Sequence, residues 1–265
     1  MLKTQHLLFP HDENGFAVGD QFYLGDSGLL VKPPVTQGAD RVEMYLAEDQ
    51  MYYHYFSQHE YRGAQGGRRV TVPAPLTNEV PLLIRGGSIL PVRERNRRAA
   101  ELQRRDPFTL YIALSRNRQG TRAEGELYMD DGQTFAYRDQ NAFIARHFVL
   151  AQEKGVHRLR ASALTGKEPK IPNGDATALQ TAHNPFVQEI QSVRVERIVI
   201  LGLEQEPRTI VAHAADGRTE TLSFTWRAAA KVARSATDSS EMRASELVIR
   251  DPRMLIAQDW SVEIQ

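Results

Sequence analysis

The chain has 265 residues with 33 basic and 33 acidic side chains, so its formal net charge is zero. This balance argues against bulk binding to nucleic acid or an anionic membrane, which needs a basic excess. There are no cysteines, which excludes disulfides, thiolate zinc sites and cysteine nucleophiles. Hydrophobic residues make up 41% of the chain, enough for a buried core, and the length suits two domains.

Short apolar runs separated by turn residues predict β-strands along almost the whole chain. Strands spaced by roughly 8–12 residues indicate β-sandwiches and not alternating α/β units. The predicted strands cover residues 21–23, 28–32, 41–46, 51–56, 69–72, 82–90, 108–114, 125–129, 134–138, 142–150, 156–162, 193–202, 208–212, 222–226, 246–249 and 260–264.

Two segments interrupt this pattern. The arginine-rich segment 93–105 predicts a solvated interdomain linker or a short surface helix, with an anionic-ligand site as the alternative. Trypsin should cut there if the segment is exposed. The small and polar residues of 227–245 predict a surface excursion between the last strands.

No local motif proposes a nucleophile with its base, and no histidine pair has convincing metal-ligand spacing. Asp130 and Asp131 are the most conspicuous acidic pair. A glycosidase needs two carboxylates about 5–9.5 Å apart on either side of the bond, whereas Asp131-Gly132 is a strong hairpin signal. The turn is the favoured interpretation, and an intact hydrolase using either aspartate is a third, weaker hypothesis.

Tyr52, Tyr53 and Tyr61 belong to an aromatic cluster and are the candidate substrate-binding residues. Tyrosine combines an apolar ring face with a hydroxyl, so such a cluster is suited to stacking on sugar rings. The alternative is a strand whose aromatic side chains form a buried face and a half-exposed face.

Several passages, in order, resemble glycoside hydrolase family 31. They are LLFPHD at 7–12, DQFYLGD at 20–26, VEMYL at 42–46, PLLIRGGSILP at 81–91, GELYMDDG at 125–132 and DW at 259–260. The resemblance implies a mainly β chain. It would comprise the last strand and exit of a catalytic (β/α)8 barrel at 1–19, a proximal C-terminal β-sandwich at 20–92, the linker 93–105 and a distal C-terminal β-sandwich at 106–265.

In that family the aspartate nucleophile and the aspartate acid/base lie on earlier barrel strands, and neither matches a residue of this chain. The resemblance therefore implies the non-catalytic C-terminal part of a retaining α-glucosidase, inactive alone. Its expected partner is the upstream part carrying the barrel, because a lone last barrel strand leaves its backbone groups unsatisfied.

The linker before Asp106-Pro107 and the strand at 197–202 resemble one branch of the family. Its members trim α-1,3-linked glucose from N-glycans in the endoplasmic-reticulum lumen and work with a β subunit. This implies an oligosaccharide substrate and no metal, cofactor, nucleic acid or membrane. The alternative is a free-standing tandem β-sandwich that binds carbohydrate through the Tyr52–Tyr61 cluster without catalysis.

Overall fold

The computed structural model describes residues 1–76, 79–115, 121–164 and 184–265. Within these ranges the chain forms 21 β-strands and three helices of four or five residues, which confirms the mainly β prediction. None of the helices in these ranges is long and apolar enough to cross a membrane.

The strands are β1 (Leu2–Lys3), β2 (Phe22–Leu24), β3 (Leu29–Val31), β4 (Arg41–Leu46), β5 (Met51–His54), β6 (His59–Arg62), β7 (Arg68–Pro73), β8 (Leu82–Arg85), β9 (Ser88–Val92), β10 (Phe108–Ala113), β11 (Arg122–Met129), β12 (Ile144–Glu153), β13 (Val156–Ala163), β14 (Arg194–Leu201), β15 (Ile210–Ala214), β16 (Thr219–Thr221), β17 (Phe224–Arg227), β18 (Ala230–Lys231), β19 (Met242–Arg243), β20 (Glu246–Leu255) and β21 (Trp260–Ile264). The helices are α1 (Gln5–Leu8), α2 (Ala136–Asp139) and α3 (Pro185–Glu189), with 3-10 turns at Glu13–Ala17 and Ala100–Gln103.

The first sheet has eight antiparallel strands in the order β1-β2-β3-β8-β5-β6-β19-β18. A separate two-stranded sheet of β4 and β7 contributes Met44 and Val72 to the same buried cluster as Tyr52 and Leu83 of the first sheet. Because successive side chains of a strand point to opposite faces, Tyr53 lies on the other side of the sheet.

The second sheet has eleven strands in the order β16-β15-β21-β13-β12-β11-β9-β10-β14-β20-β17. Its β9–β11 contact is a single parallel pair, Glu124 with Ser88, and the sheet folds over there. One hydrophobic cluster contains Ile112 of β10 and Ile198 of β14 together with Phe148 of β12. The two halves therefore enclose a common core, as in a β-sandwich.

The outer face of the β9-β10-β14-β20 half packs on the first sheet. Ala113 and Val199 of that half share a cluster with Tyr53 and Ile84 of the first sheet. The first sheet therefore lies between the two-stranded β4–β7 sheet on one side and the folded eleven-stranded sheet on the other. This arrangement leaves both faces of the central strands buried, which explains their continuous apolar runs.

Strands on opposite sides of the predicted domain boundaries pair with each other. The boundaries themselves remain a prediction. β9 precedes the linker, yet it pairs with β10 of the second sheet. β18 and β19 lie within the segment 227–245, yet they extend the first sheet through β6. The predicted strand at 134–138 was wrong, because Thr134 Oγ1 accepts a hydrogen bond from the Ala136 N–H and the chain enters α2.

Candidate functional site

The N-terminal segment 1–19 is held in place at three points, one on the first sheet and two on β4. The first is strand pairing, because β1 lies antiparallel to β2 with Leu2 opposite Leu24 and Lys3 opposite Tyr23. Lys3 also pairs with Asp26. The segment therefore begins as an edge strand of the sheet.

The second point is a buried amide. Gln21 Nε2 donates to Gln5 Oε1 at 3.2 Å and to the Tyr45 carbonyl at 2.8 Å, and Gln21 Oε1 accepts from the Tyr45 N–H at 2.8 Å. Both glutamines are fully buried. Since a buried polar group without partners is costly, these bonds fix the position of α1 relative to β4.

The third point is the Tyr45 hydroxyl, which lies 2.8 Å from each carboxylate oxygen of Asp12. Burial, reinforced by the hydrogen bond to Asp12, raises the pKa of Tyr45 to about 12. Gly67 makes room for this contact, because a Cβ there would lie 1.9 Å from the Tyr45 hydroxyl oxygen. The tyrosine therefore stays neutral and donates to the aspartate at ordinary pH.

Phe9 extends this attachment to the centre of the first sheet. The Arg85 guanidinium lies 5.5 Å from the Phe9 ring centroid, and Arg85 Nε donates to Glu48 Oε1. Phe9 also packs at 5.9 Å from Tyr23, whose hydroxyl is 3.2 Å from that of Tyr52. This cation–π and hydrogen-bonded network makes residues 1–19 a fixed part of the structure.

Several apolar side chains of residues 1–24 are exposed. They include Leu2 at 59%, Leu7 at 63%, Phe16 at 58% and Leu24 at 40%. A neighbouring cavity of about 540 Å³ is lined mainly by residues 8–14. Exposed apolar side chains on a segment that is held in place by hydrogen bonds have the character of an interaction site. We refer to the exposed surface of residues 1–24 as the N-terminal face.

The predicted substrate-binding tyrosines all lie in the core. Tyr52 and Tyr53 have no exposed surface, and Tyr61 is 3% exposed. Burial raises the pKa of Tyr52 to about 12, and the Tyr53 hydroxyl donates to the Leu114 carbonyl at 2.9 Å. None of the three rings offers a face on which a sugar can stack. Both strand faces that carry them are buried, whereas the alternative expected one face to be half-exposed.

Sequence reasoning missed the contact that Tyr61 makes. Its hydroxyl donates to Asp238 Oδ1 at 2.7 Å, and the other oxygen of Asp238 lies 2.7 Å from His59 Nδ1. The Ser240 N–H donates to Asp238 Oδ1 at 2.8 Å. No local sequence pattern predicts this cluster, because its carboxylate comes from the segment 227–245, which is distant in sequence from Tyr61. It attaches that segment to β6.

Asp130 and Asp131 are turn residues in the structure. Asp130 Oδ1 accepts from the Gly132 N–H at 2.8 Å, and Asp131 Oδ1 accepts from the N–H groups of Gln133 and Thr134 at 3.0 Å each. The hydroxyl and N–H bonds lower the pKa of Asp131 to about 2. Within the described ranges, no group of three or more His, Asp or Glu side chains is arranged to hold a metal ion.

Residues 1–90 match the family model described as the glycosyl hydrolase family 31 C-terminal domain. The glucosidase 2 subunit alpha of Schizosaccharomyces pombe is 50% identical over 162 residues, which is 61% of this chain and 17% of that protein. The match thus spans about a sixth of this curated relative's length.

Two solved structures cover the whole chain. The glucosidase II alpha subunit bound to Glc1Man2 has a TM-score of 0.81 and 26% identity, over 26% of its own length. A heterodimeric complex of the glucosidase II catalytic subunit with the binding domain of its regulatory subunit has a TM-score of 0.79 and 25% identity, over 25% of the matched chain. Residues 1–90 thus belong to the glycosyl hydrolase family 31 C-terminal domain, and the whole chain is similar to part of the glucosidase II alpha subunit.

Proposed function

We propose that this chain is the non-catalytic C-terminal part of a retaining α-glucosidase of the glucosidase II alpha type. Its role is to complete and brace a catalytic (β/α)8 barrel that the upstream part of the polypeptide supplies. The observation that carries this proposal is the N-terminal face, an apolar surface on the same residues whose motifs resemble the family's barrel exit.

The geometry supports a bracing role because hydrogen bonds and a cation–π contact hold the face in place, while apolar side chains on it are exposed. Gln21 and Asp12 fix the segment to β4, and Arg85 fixes Phe9 to the centre of the first sheet. Leu7 and Phe16 are more than half exposed. Docking such side chains against a barrel releases the free energy of apolar burial at little ordering cost.

The chemistry follows from the family. A retaining glycosidase uses one carboxylate as nucleophile and a second as acid and then base, and both belong to the barrel in this proposal. The proposed substrate is α-1,3-linked glucose on N-glycans in the endoplasmic-reticulum lumen. A glucosidase II beta subunit is the proposed partner, since one matched structure is a complex of the catalytic subunit with the binding domain of its regulatory subunit.

The test is reconstitution. This chain is purified alone and together with a chain carrying the upstream barrel, and hydrolysis of 4-nitrophenyl α-glucoside is measured for both. Activity confined to the complex supports the proposal, and turnover by this chain alone overturns it.

A matched pair of variants tests the face itself. Phe16→Asp and Phe135→Asp replace phenylalanines of 58% and 64% exposure, and only Phe16 belongs to residues 1–24. We expect Phe16→Asp to weaken association with the barrel chain by about tenfold or more, because it removes an aromatic side chain that the proposed association buries. Phe135→Asp should leave association unchanged. Equal effects of the two variants would place the barrel contact elsewhere.

A further inference from the structure

A groove of about 410 Å³ lies between the 3-10 turn Ala100–Gln103 and the turn that follows β11. Its volume falls within the ~300–1,000 Å³ typical of small-molecule sites. The two walls are joined by one hydrogen bond, from Gln133 Nε2 to Glu101 Oε1 at 2.6 Å. The groove is therefore a formed feature of the distal half of the chain and not a gap between loose segments.

Tyr128 supplies an aromatic surface to this groove. Its side chain is 47% exposed, in contrast to the buried tyrosines of the first sheet. The ring stacks on buried Phe143 with centroids 5.5 Å apart, and its hydroxyl donates to Asp130 Oδ2 at 3.0 Å. A ring fixed in this way loses little side-chain entropy when a ligand stacks on it.

The polar groups beside the ring are also fixed. Asp131 is held by the N–H groups of Gln133 and Thr134. Each carboxylate oxygen has two acceptor sites, so the aspartates can still accept from a ligand. Arg104 also lines the groove, and its Nη2 donates to Glu189 at 2.7 Å. Acceptors and donors thus stand around a flat apolar surface.

This combination selects the ligand class. A small anion is repelled by the carboxylates of Glu101, Asp130 and Asp131. A cation is repelled by the guanidinium groups of Arg93 and Arg104. A neutral sugar presents hydroxyls to the polar rim and an apolar ring face to Tyr128. We propose that this groove is a binding subsite for a neutral oligosaccharide, with Tyr128 as the stacking residue.

The test uses saturation-transfer NMR on this chain with maltotriose, nigerose and α-1,3-mannobiose, each as a separate probe at millimolar concentration. We expect saturation transfer to the ring protons of at least one probe. Tyr128→Ala should weaken that binding by about tenfold, whereas Phe135→Ala, which removes an exposed ring outside the groove lining, should not change it. The site is independent of the proposed barrel contact, because the lone chain suffices for the measurement.

Two further variants separate loss of binding from loss of folding. Tyr128→Phe keeps the ring and should bind within about threefold of the unsubstituted chain, since only the bond to Asp130 is lost. Gln133→Ala alters an exposed side chain and should weaken binding by about threefold. Absence of transfer from all three probes would overturn the proposal, as would Tyr128→Ala binding as well as the unsubstituted chain.

Discussion

Asp238 and His59 are 179 positions apart in the sequence, yet Asp238 Oδ2 lies 2.7 Å from His59 Nδ1. The contact joins β6 to the segment 227–245, which leaves the second sheet after β17 and returns to it at β20. Asp238 is 7% exposed and Tyr61, its other partner on β6, is 3% exposed. One buried carboxylate therefore couples the two sheets.

Replacing Asp238 by Asn should destabilise the protein. The substitution keeps the shape but removes the charge that strengthens the hydrogen bonds from Tyr61 and the Ser240 N–H, at about 1.5–3 kcal/mol for bonds to a charged group. Urea unfolding monitored by circular dichroism measures the loss. Asp139→Asn is the control, because the Arg138–Asp139 pair is exposed and solvent screens such pairs strongly. Equal midpoints for the two variants would contradict the coupling.

His54 predicts a pH dependence of stability. Burial lowers its pKa to about 4, with Asp238 opposing that shift and His59 adding to it. Its Nδ1 accepts from the Ser57 N–H at 3.1 Å, and in the described part of the chain its Nε2 is buried without a hydrogen-bond partner. Protonation of His54 Nδ1 therefore breaks the hydrogen bond from the Ser57 N–H and places a charge in the protein interior.

The depressed pKa fixes the sign of this effect. Unfolded His54 takes up a proton near its ordinary pKa of about 6.5, whereas folded His54 does so only near 4, so stability is present above pH 6.5 and is lost as the pH falls toward 4. The full loss approaches about 3 kcal/mol. Unfolding free energies at pH 7 and pH 5 should differ less in His54→Leu than in the unsubstituted chain. Exposed His11→Gln should retain the full difference, and a variant His54→Leu that also retained it would refute the assignment.

Adjacent glycines offer a test of the attachment behind the N-terminal face. Gly66 and Gly67 both have positive φ, at 79° and 88°, so an alanine at either position incurs similar backbone strain of about 1 kcal/mol. A Cβ at Gly66 meets nothing within 4 Å, whereas one at Gly67 lies 1.9 Å from the Tyr45 hydroxyl oxygen.

Gly67→Ala should therefore displace Tyr45 from Asp12 and destabilise the protein by about 1–3 kcal/mol more than Gly66→Ala. Denaturant midpoints of the two variants give the comparison directly. We also expect Gly67→Ala to weaken reconstitution with the barrel chain, because the face loses its support. Indistinguishable midpoints would show that the Asp12–Tyr45 contact does not hold the segment.

Much of the strand content was predictable, because alternation and turn residues act locally. Asp131-Gly132 predicted a turn, and the hydrogen bonds of Asp131 form it. The pairing of strands that are distant in sequence was not predictable, since the residues of β9 and β19 do not indicate which sheet each strand joins. The role of Tyr52 depended on what packs against its ring, and only the structure shows that the β4–β7 sheet covers it.

The arginine-rich linker is held to the rest of the protein by ion pairs, unlike a fully solvated linker. Arg97 Nε and Nη2 donate to Asp106 at 2.9 and 2.7 Å, and Arg95 Nη2 lies 3.1 Å from Glu196 on β14. The bidentate pair involves a carboxylate with a side chain only 6% exposed. Bidentate pairs to a buried carboxylate are among the stronger ion pairs.

Trypsin should therefore cut residues 93–105 slowly in the native protein, and Asp106→Asn should accelerate the cleavage by about tenfold. Proteolysis under native conditions follows the population of the opened segment, and losing a charged hydrogen-bonded partner raises that population. Mass spectrometry of timed digests locates the cuts. Asp139→Asn, which breaks an exposed ion pair elsewhere, should leave the rate at 93–105 unchanged. Rapid cutting of the unsubstituted chain within 93–105, unaffected by Asp106→Asn, would show instead that the linker is free in solution and that its ion pairs contribute nothing measurable.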